Sequence, residues 1–88
     1  MVINKEFVLR EIAGDYILVP VGDTALHFNG LITVNEVGAF LWEKLQKETT
    51  REQLIQNVLD EYEVEEEIVA KDVDDFLNRL SEAEIIQE

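Results

Sequence analysis

One histidine, His27, and one serine, Ser81, are the side chains from which acyl-transfer chemistry would have to be built. A serine nucleophile needs an imidazole base within hydrogen-bond reach and donors aimed at the developing oxyanion. Ser81 falls near the end of a predicted helix without flanking glycines, and no serine motif surrounds His27. A lone imidazole is also a poor metal site, because zinc takes three or four convergent donors. The acidic run Asp60, Glu61, Glu63, Glu65, Glu66 and Glu67 offers carboxylates. A calcium loop of the EF-hand type, however, alternates its ligands around a central glycine and closes on a glutamate. No glycine follows Gly38. The chain has no cysteine, which removes disulfides, thiolate metal sites and cysteine nucleophiles. These residues predict no catalytic group, no metal and no cofactor, and the acidic run reads as a solvated face.

The charge balance narrows the partners. The net charge is -13, from 20 acidic and 7 basic side chains. Residues 60–88 carry 12 acidic and 2 basic side chains, and residues 1–59 carry 8 and 5. Affinity for a phosphate backbone comes largely from Lys and Arg displacing counterions. A surface this acidic therefore predicts no nucleic-acid partner; it suits basic partners or simple solubility. No run approaches the roughly 20 apolar residues of a membrane-spanning helix, and the first residues lack the apolar core of a signal peptide. The expectation is a cytoplasmic protein with no membrane partner.

Eighty-eight residues, 47% of them apolar, suit a single domain spanning 1–88 that must bury most of its large apolar side chains. Phe7–Ile12 and Tyr16–Val21 read as a β-hairpin with turn chemistry at Gly14-Asp15. Pro20 lacks an amide donor and belongs at a strand end or an edge. After Gly22-Asp23, the run Thr24–Asn29 reads as a third strand, with Leu26 and Phe28 on one face and His27 on the other. A first helix follows, capped by Thr33 or Asn35, with Val37, Phe40, Leu41 and Leu45 on its apolar stripe and Trp42 beside it. A second helix opens at Thr49-Thr50 and carries Leu54, Ile55, Val58, Leu59 and Tyr62. A third begins near Glu65, where glutamates complement the helix dipole, and carries Val69, Val73, Phe76, Leu77 and Leu80. Ile85-Ile86 adds a short extended tail. The fold class is α+β: a three-stranded antiparallel sheet followed by three helices, winged-helix-like with the sheet placed first.

Such an arrangement raises DNA binding. A recognition helix carries Arg, Lys, Asn or Gln on its exposed face. The third helix sets Lys71, Asn78 and Arg79 against Glu66, Glu67, Asp72, Asp74, Asp75 and Glu82, so its exposed face is acidic. Gly38 lies inside the first helix, where glycine costs about 1 kcal/mol relative to alanine. Close packing of the sheet or another helix explains it, and close approach of a ligand backbone is the alternative.

The stretch Phe28-Asn29-Gly30-Leu31-Ile32-Thr33-Val34-Asn35-Glu36-Val37-Gly38-Ala39-Phe40-Leu41-Trp42-Glu43 resembles the signature of the PqqD-like family. The resemblance covers residues 7–87 and includes Leu54, Asp60-Glu61-Tyr62, Asp72-Val73, Phe76-Leu77 and Leu80. The family commonly has a glycine after the last helix, where this chain has Ala83-Glu84. The resemblance implies a non-catalytic peptide recognition element of the kind found in ribosomal peptide modification. Such a domain binds the leader region of a precursor peptide as an added strand and presents it to a modifying enzyme, often of the radical SAM type. Some members serve pyrroloquinoline quinone synthesis and others serve unrelated pathways. Carried onto this chain, the edge is Ala25, Leu26, His27, Phe28 and Asn29. The opposing wall is Val69, Val73, Phe76 and Leu80, divided between core and groove, with Asp72 and Asp75 selecting basic peptides. Edge strands make this plausible, because their unpaired amides and carbonyls accept an extended chain. The other reading is a winged-helix regulator or structural adaptor with a protein partner.

Overall fold

The computed structural model describes residues 1–27 and 31–87. In chain order these form β1 (Val2–Ile3), β2 (Phe7–Ile12), β3 (Asp15–Pro20), α1 (Thr24–His27), β4 (Ile32–Val34), α2 (Glu36–Lys44), α3 (Arg51–Glu61), α4 (Glu66–Glu82) and β5 (Ile86–Gln87). Ala13 and Gly14 both take positive φ, 52° and 87°. That is the backbone of a type I′ hairpin turn, whose twist matches the flanking strands. β2 therefore folds straight back on β3, from Ile12 opposite Asp15 to Phe7 opposite Pro20. Pro20 closes β3, as a residue without an amide donor should. β4 pairs antiparallel with the other side of β3, Tyr16 opposite Val34 and Leu18 opposite Ile32. The sheet order is β2-β3-β4, so among the described residues one edge of β4 has no strand neighbour.

The class is the expected one, α+β with a three-stranded antiparallel sheet followed by three long helices. The third strand is not the expected segment. Ala25, Leu26 and His27 lie in the one-turn helix α1, and Phe28 and Asn29 lie outside the described residues. The cause is a distant carboxylate. Gly22 turns the chain at φ 62°. The Glu6 carboxylate then accepts the Asp23 N–H at 3.1 Å and the Thr24 hydroxyl at 2.8 Å. Ala25 and Leu26 donate to Gly22 and Asp23 at 3.2 and 3.0 Å, which winds the segment up. Negative charge at the start of a turn of helix favours that winding. A strand at 24–27 would have left those donors to find other partners.

The helices begin where the cap residues stand. Asn35 caps α2, its side chain accepting the Gly38 N–H at 2.7 Å, and Thr50 caps α3, accepting the Gln53 N–H at 3.1 Å. α4 ends in a Schellman motif: Glu84 takes φ 59°, its N–H reaches the Ser81 carbonyl, and the Ile85 N–H reaches that of Leu80. The tail then pairs with the start of the chain, Ile3 opposite Ile86. One core joins all layers: Ile3, Phe7, Leu18 and Val34 from strands, Leu41, Trp42, Leu54 and Val58 from α2 and α3, and Val69, Val73, Phe76 and Leu80 from α4. Among the described residues, no charged or polar side chain is buried in it.

Candidate functional site: the free edge of β4 and its facing helix

β4 reads Ile-Thr-Val, β-branched throughout, and its burial alternates. Ile32 is half-buried, Thr33 exposed and Val34 buried. The Thr33 carbonyl accepts a hydrogen bond from Arg79 Nη2 at 2.8 Å, and Arg79 belongs to α4. That carbonyl therefore points away from β3. In an antiparallel ladder a residue turns its N–H and C=O to the same side. Thr33 accordingly presents both groups to the lane between β4 and α4, while Ile17 opposite it forms the pair without ladder hydrogen bonds.

Two depressions adjoin this lane, the first between α2 and α4 and the second between β4 and α4. One, of about 170 Å³, is lined by Asn35, Val37, Gly38 and Leu41 on one side and by Asp72, Asp75, Phe76 and Arg79 on the other. The second is lined by Ile32, Arg79, Glu82 and Ala83. Arg79 borders both. The first is smaller than the roughly 300–1,000 Å³ of a cofactor or drug-sized site; its size suits a single side chain. Its floor is apolar, with Phe76 and Leu41, and its rim carries two exposed carboxylates, Asp72 and Asp75. Gly38 explains how the floor comes so close. A Cβ there would lie 3.1 Å from Val34 Cβ and 3.2 Å from Phe76 Cε1. Close packing of the strand and of α4 is thus why glycine stands inside α2.

The wall is held from behind. Arg51, at the start of α3, donates to both Asp74 oxygens at 2.6 and 3.0 Å. This two-point contact ties the start of α3 to α4. Hydrogen bonding and attraction to the guanidinium hold the Asp74 carboxyl below the usual aspartate range, and the same contact raises Arg51.

The expected site residues separate under this geometry. Val69, Val73 and Leu80 are wholly core, and Phe76, 7% exposed, alone of the four reaches the groove lining. Asp72 and Asp75 also line it. Ala25, Leu26 and His27 do not form its edge. Leu26 is 77% exposed, and His27 borders a separate hollow with Asn4, Glu6, Asp23 and Glu84. Among the described residues no group of three acidic, histidine or cysteine side chains is placed to hold a metal. Ile32, Thr33, Asn35, Gly38 and Arg79 were missed as groove residues. Three consecutive β-branched or strongly β-forming residues, Ile32-Thr33-Val34, were the available signal for the edge; nothing local marked Arg79.

A β4 edge that faces a helix across a narrow lane defines a small α+β domain with an edge strand beside a helix wall. This chain belongs to the PqqD family: the model described as Coenzyme PQQ synthesis protein D matches residues 15–86. No curated protein matches the sequence. Two solved structures share the fold. One, described as "TbiB1 in Complex with the TbiA(beta) Leader Peptide", is 24% identical with a TM-score of 0.75, covering 99% of this chain and 95% of that one. The other, "Lasso peptide synthetase B1 complexed with the leader peptide", is 17% identical with a TM-score of 0.72, covering 98% and 95%. No helix among the described residues is long and apolar enough to cross a membrane.

Proposed function

We propose that this chain is a non-catalytic carrier that holds the leader segment of a ribosomally made precursor peptide and presents it to a modifying enzyme, of the radical SAM type. The peptide adds as a strand to β4 and lies against α4. Family membership supports this reading, and both similar structures are complexes with leader peptides. The observation that carries it is the outward N–H and C=O of Thr33. Among the described residues, β2 also has no strand neighbour besides β3. It is β4, however, that faces a helix wall with side-chain depressions, and strand addition draws its selectivity from such pockets. Only one residue of the three in β4 faces the lane, so backbone pairing is short and side-chain contacts must contribute much of the affinity. Asp72 and Asp75 favour a basic peptide residue above Phe76.

An amide chemical-shift titration tests this, with a synthetic leader of a ribosomally made precursor as the peptide. The expected shifts fall on residues 31–34 and on the groove face of α4 around Asp72, Asp75 and Arg79. Shifts confined to α3 and the hairpin turn, with β4 unmoved, overturn the site. Peptide mass should stay unchanged without a second enzyme.

A further inference from the structure

Arg79 does more than line the groove. Its guanidinium sits 2.8 Å from the Thr33 carbonyl, in the lane where a fourth strand would lie. An added strand runs about 4.8 Å from its neighbour, so guanidinium and peptide cannot occupy that lane together. We propose that Arg79 is a latch on the β4 edge: it closes the edge in the peptide-free chain and must swing off Thr33 before a peptide strand can pair there. The proposal rests on the strand-addition reading above.

The chemistry of release is favourable. Asp75 stands four residues before Arg79 on α4 and Glu82 three residues after, the spacings at which helix side chains meet. Both carboxylates line the depressions that Arg79 separates. Leaving Thr33, the guanidinium exchanges a neutral carbonyl for the Glu82 carboxylate, which leaves Asp72 and Asp75 to the peptide, and the Thr33 carbonyl passes to a peptide N–H. No buried polar group is stranded, since Thr33 and Arg79 are both exposed. The latch also serves the free chain. An unpaired edge invites pairing with other chains, and natural sheets commonly blunt it with a charged side chain. Arg79 supplies that charge from the facing helix and can be withdrawn.

The test compares wild type, Arg79→Met and Lys71→Met in stopped-flow anisotropy with the same synthetic leader, labelled with fluorescein. Methionine keeps the length of the arginine stem and removes the donors. Lys71→Met removes the same charge from an exposed position on α4 that lines neither depression. Arg79→Met is expected to bind roughly two- to five-fold tighter, the scale of one exposed hydrogen bond, with most of the gain in the association rate. Lys71→Met should stay within experimental scatter of wild type. Equal or weaker binding by Arg79→Met overturns the latch while leaving strand addition intact. Equal tightening by both variants assigns the effect to net charge and also overturns the latch. Binding by neither wild type nor Arg79→Met overturns the strand-addition reading and the latch with it. Arg79→Gln repeats the comparison should the methionine variant fail to fold.

Discussion

The Ile85 N–H donates to the Leu80 carbonyl at 2.8 Å, and both side chains are completely buried. This pair closes α4 and turns the chain toward β1. Between the two stands Glu84 at φ 59°, a left-handed position usually held by glycine. A side chain there costs about 1–2 kcal/mol, and glycine's greater freedom in the unfolded chain returns part of that. Glu84→Gly should therefore stabilise the fold by about 0.5–1 kcal/mol, read as a higher urea midpoint at unchanged slope. No gain would mean that the Glu84 side chain makes a compensating contact.

Gly38→Ala sets two effects against each other. Alanine gains about 1 kcal/mol of helix propensity over glycine. The new methyl would meet Val34 Cβ at 3.1 Å and Phe76 Cε1 at 3.2 Å. Phe76 can tilt, but Val34 Cβ is fixed to the strand backbone. Overpacking a tight contact costs about 1–3 kcal/mol, so the net effect should be a loss of about 1 kcal/mol, together with a shallower groove. Thermal denaturation decides the sign, and a raised midpoint would show that Phe76 moves aside freely.

The two outcomes at residues 24–34 show what a sequence carries and what it hides. Thr24–Asn29 and Ile32–Val34 are both short, apolar and preceded by a glycine, so local pattern could not rank them as strands. The choice was made by Glu6, 17 residues before Asp23 in the chain, whose carboxylate holds the start of α1. The helices were legible because their signals are local. Asn35 and Thr50 stand at the caps, and Val69, Val73, Phe76 and Leu80 recur at helical spacing. That same spacing could not divide core from groove. The division follows from α4 packing against α2 and α3 while β5 covers its end, which leaves only Phe76 of the four at the lane. The latch contact was invisible for a related reason: Arg79 and Thr33 lie 46 residues apart.

Thr33→Pro tests the edge directly. The Thr33 N–H faces away from β3, so proline there removes no bond of the β3–β4 ladder, and proline is tolerated on an edge in that orientation. The variant should keep its fold, with a circular dichroism spectrum like that of wild type. Leader affinity should fall by about tenfold, as expected for losing a backbone bond and blocking the lane. Unchanged affinity in a folded Thr33→Pro chain would move the peptide off β4.

The Arg51–Asp74 contact predicts a pH dependence. Asp74 is held below its ordinary value of about 3.8, first by its hydrogen bond to Arg51. A carboxylate with a depressed folded pKa adds stability above its unfolded pKa and loses it as pH falls through the folded value. Asp74→Asn should therefore melt below wild type at neutral pH, with the two curves converging as pH drops below about 3.8. The pair is exposed, with side chains 42% and 47% accessible, so the gap should be small and should shrink in salt. A gap independent of pH would assign the loss to packing rather than charge.

Asp72 and Asp75 offer the last test, of what the groove selects. Both carboxylates rim a depression whose floor is Phe76 and Leu41, an arrangement that suits a peptide side chain with an apolar stem and a cationic head. Each exposed pair of this kind contributes about 0.2–1 kcal/mol. Reversing both charges, Asp72→Lys with Asp75→Lys, replaces attraction by repulsion and should weaken a basic leader by about tenfold at low salt. The deficit should narrow as ionic strength rises, because charges at a solvent-exposed rim are screened within a Debye length of about 10 Å at 0.1 M. A neutral leader variant, with the basic residue nearest Phe76 replaced by glutamine, should lose most of its sensitivity to the reversal. If the reversed chain bound the natural leader more tightly, the groove would select acidic peptides, and the cation assigned to the Phe76 depression would have to be abandoned.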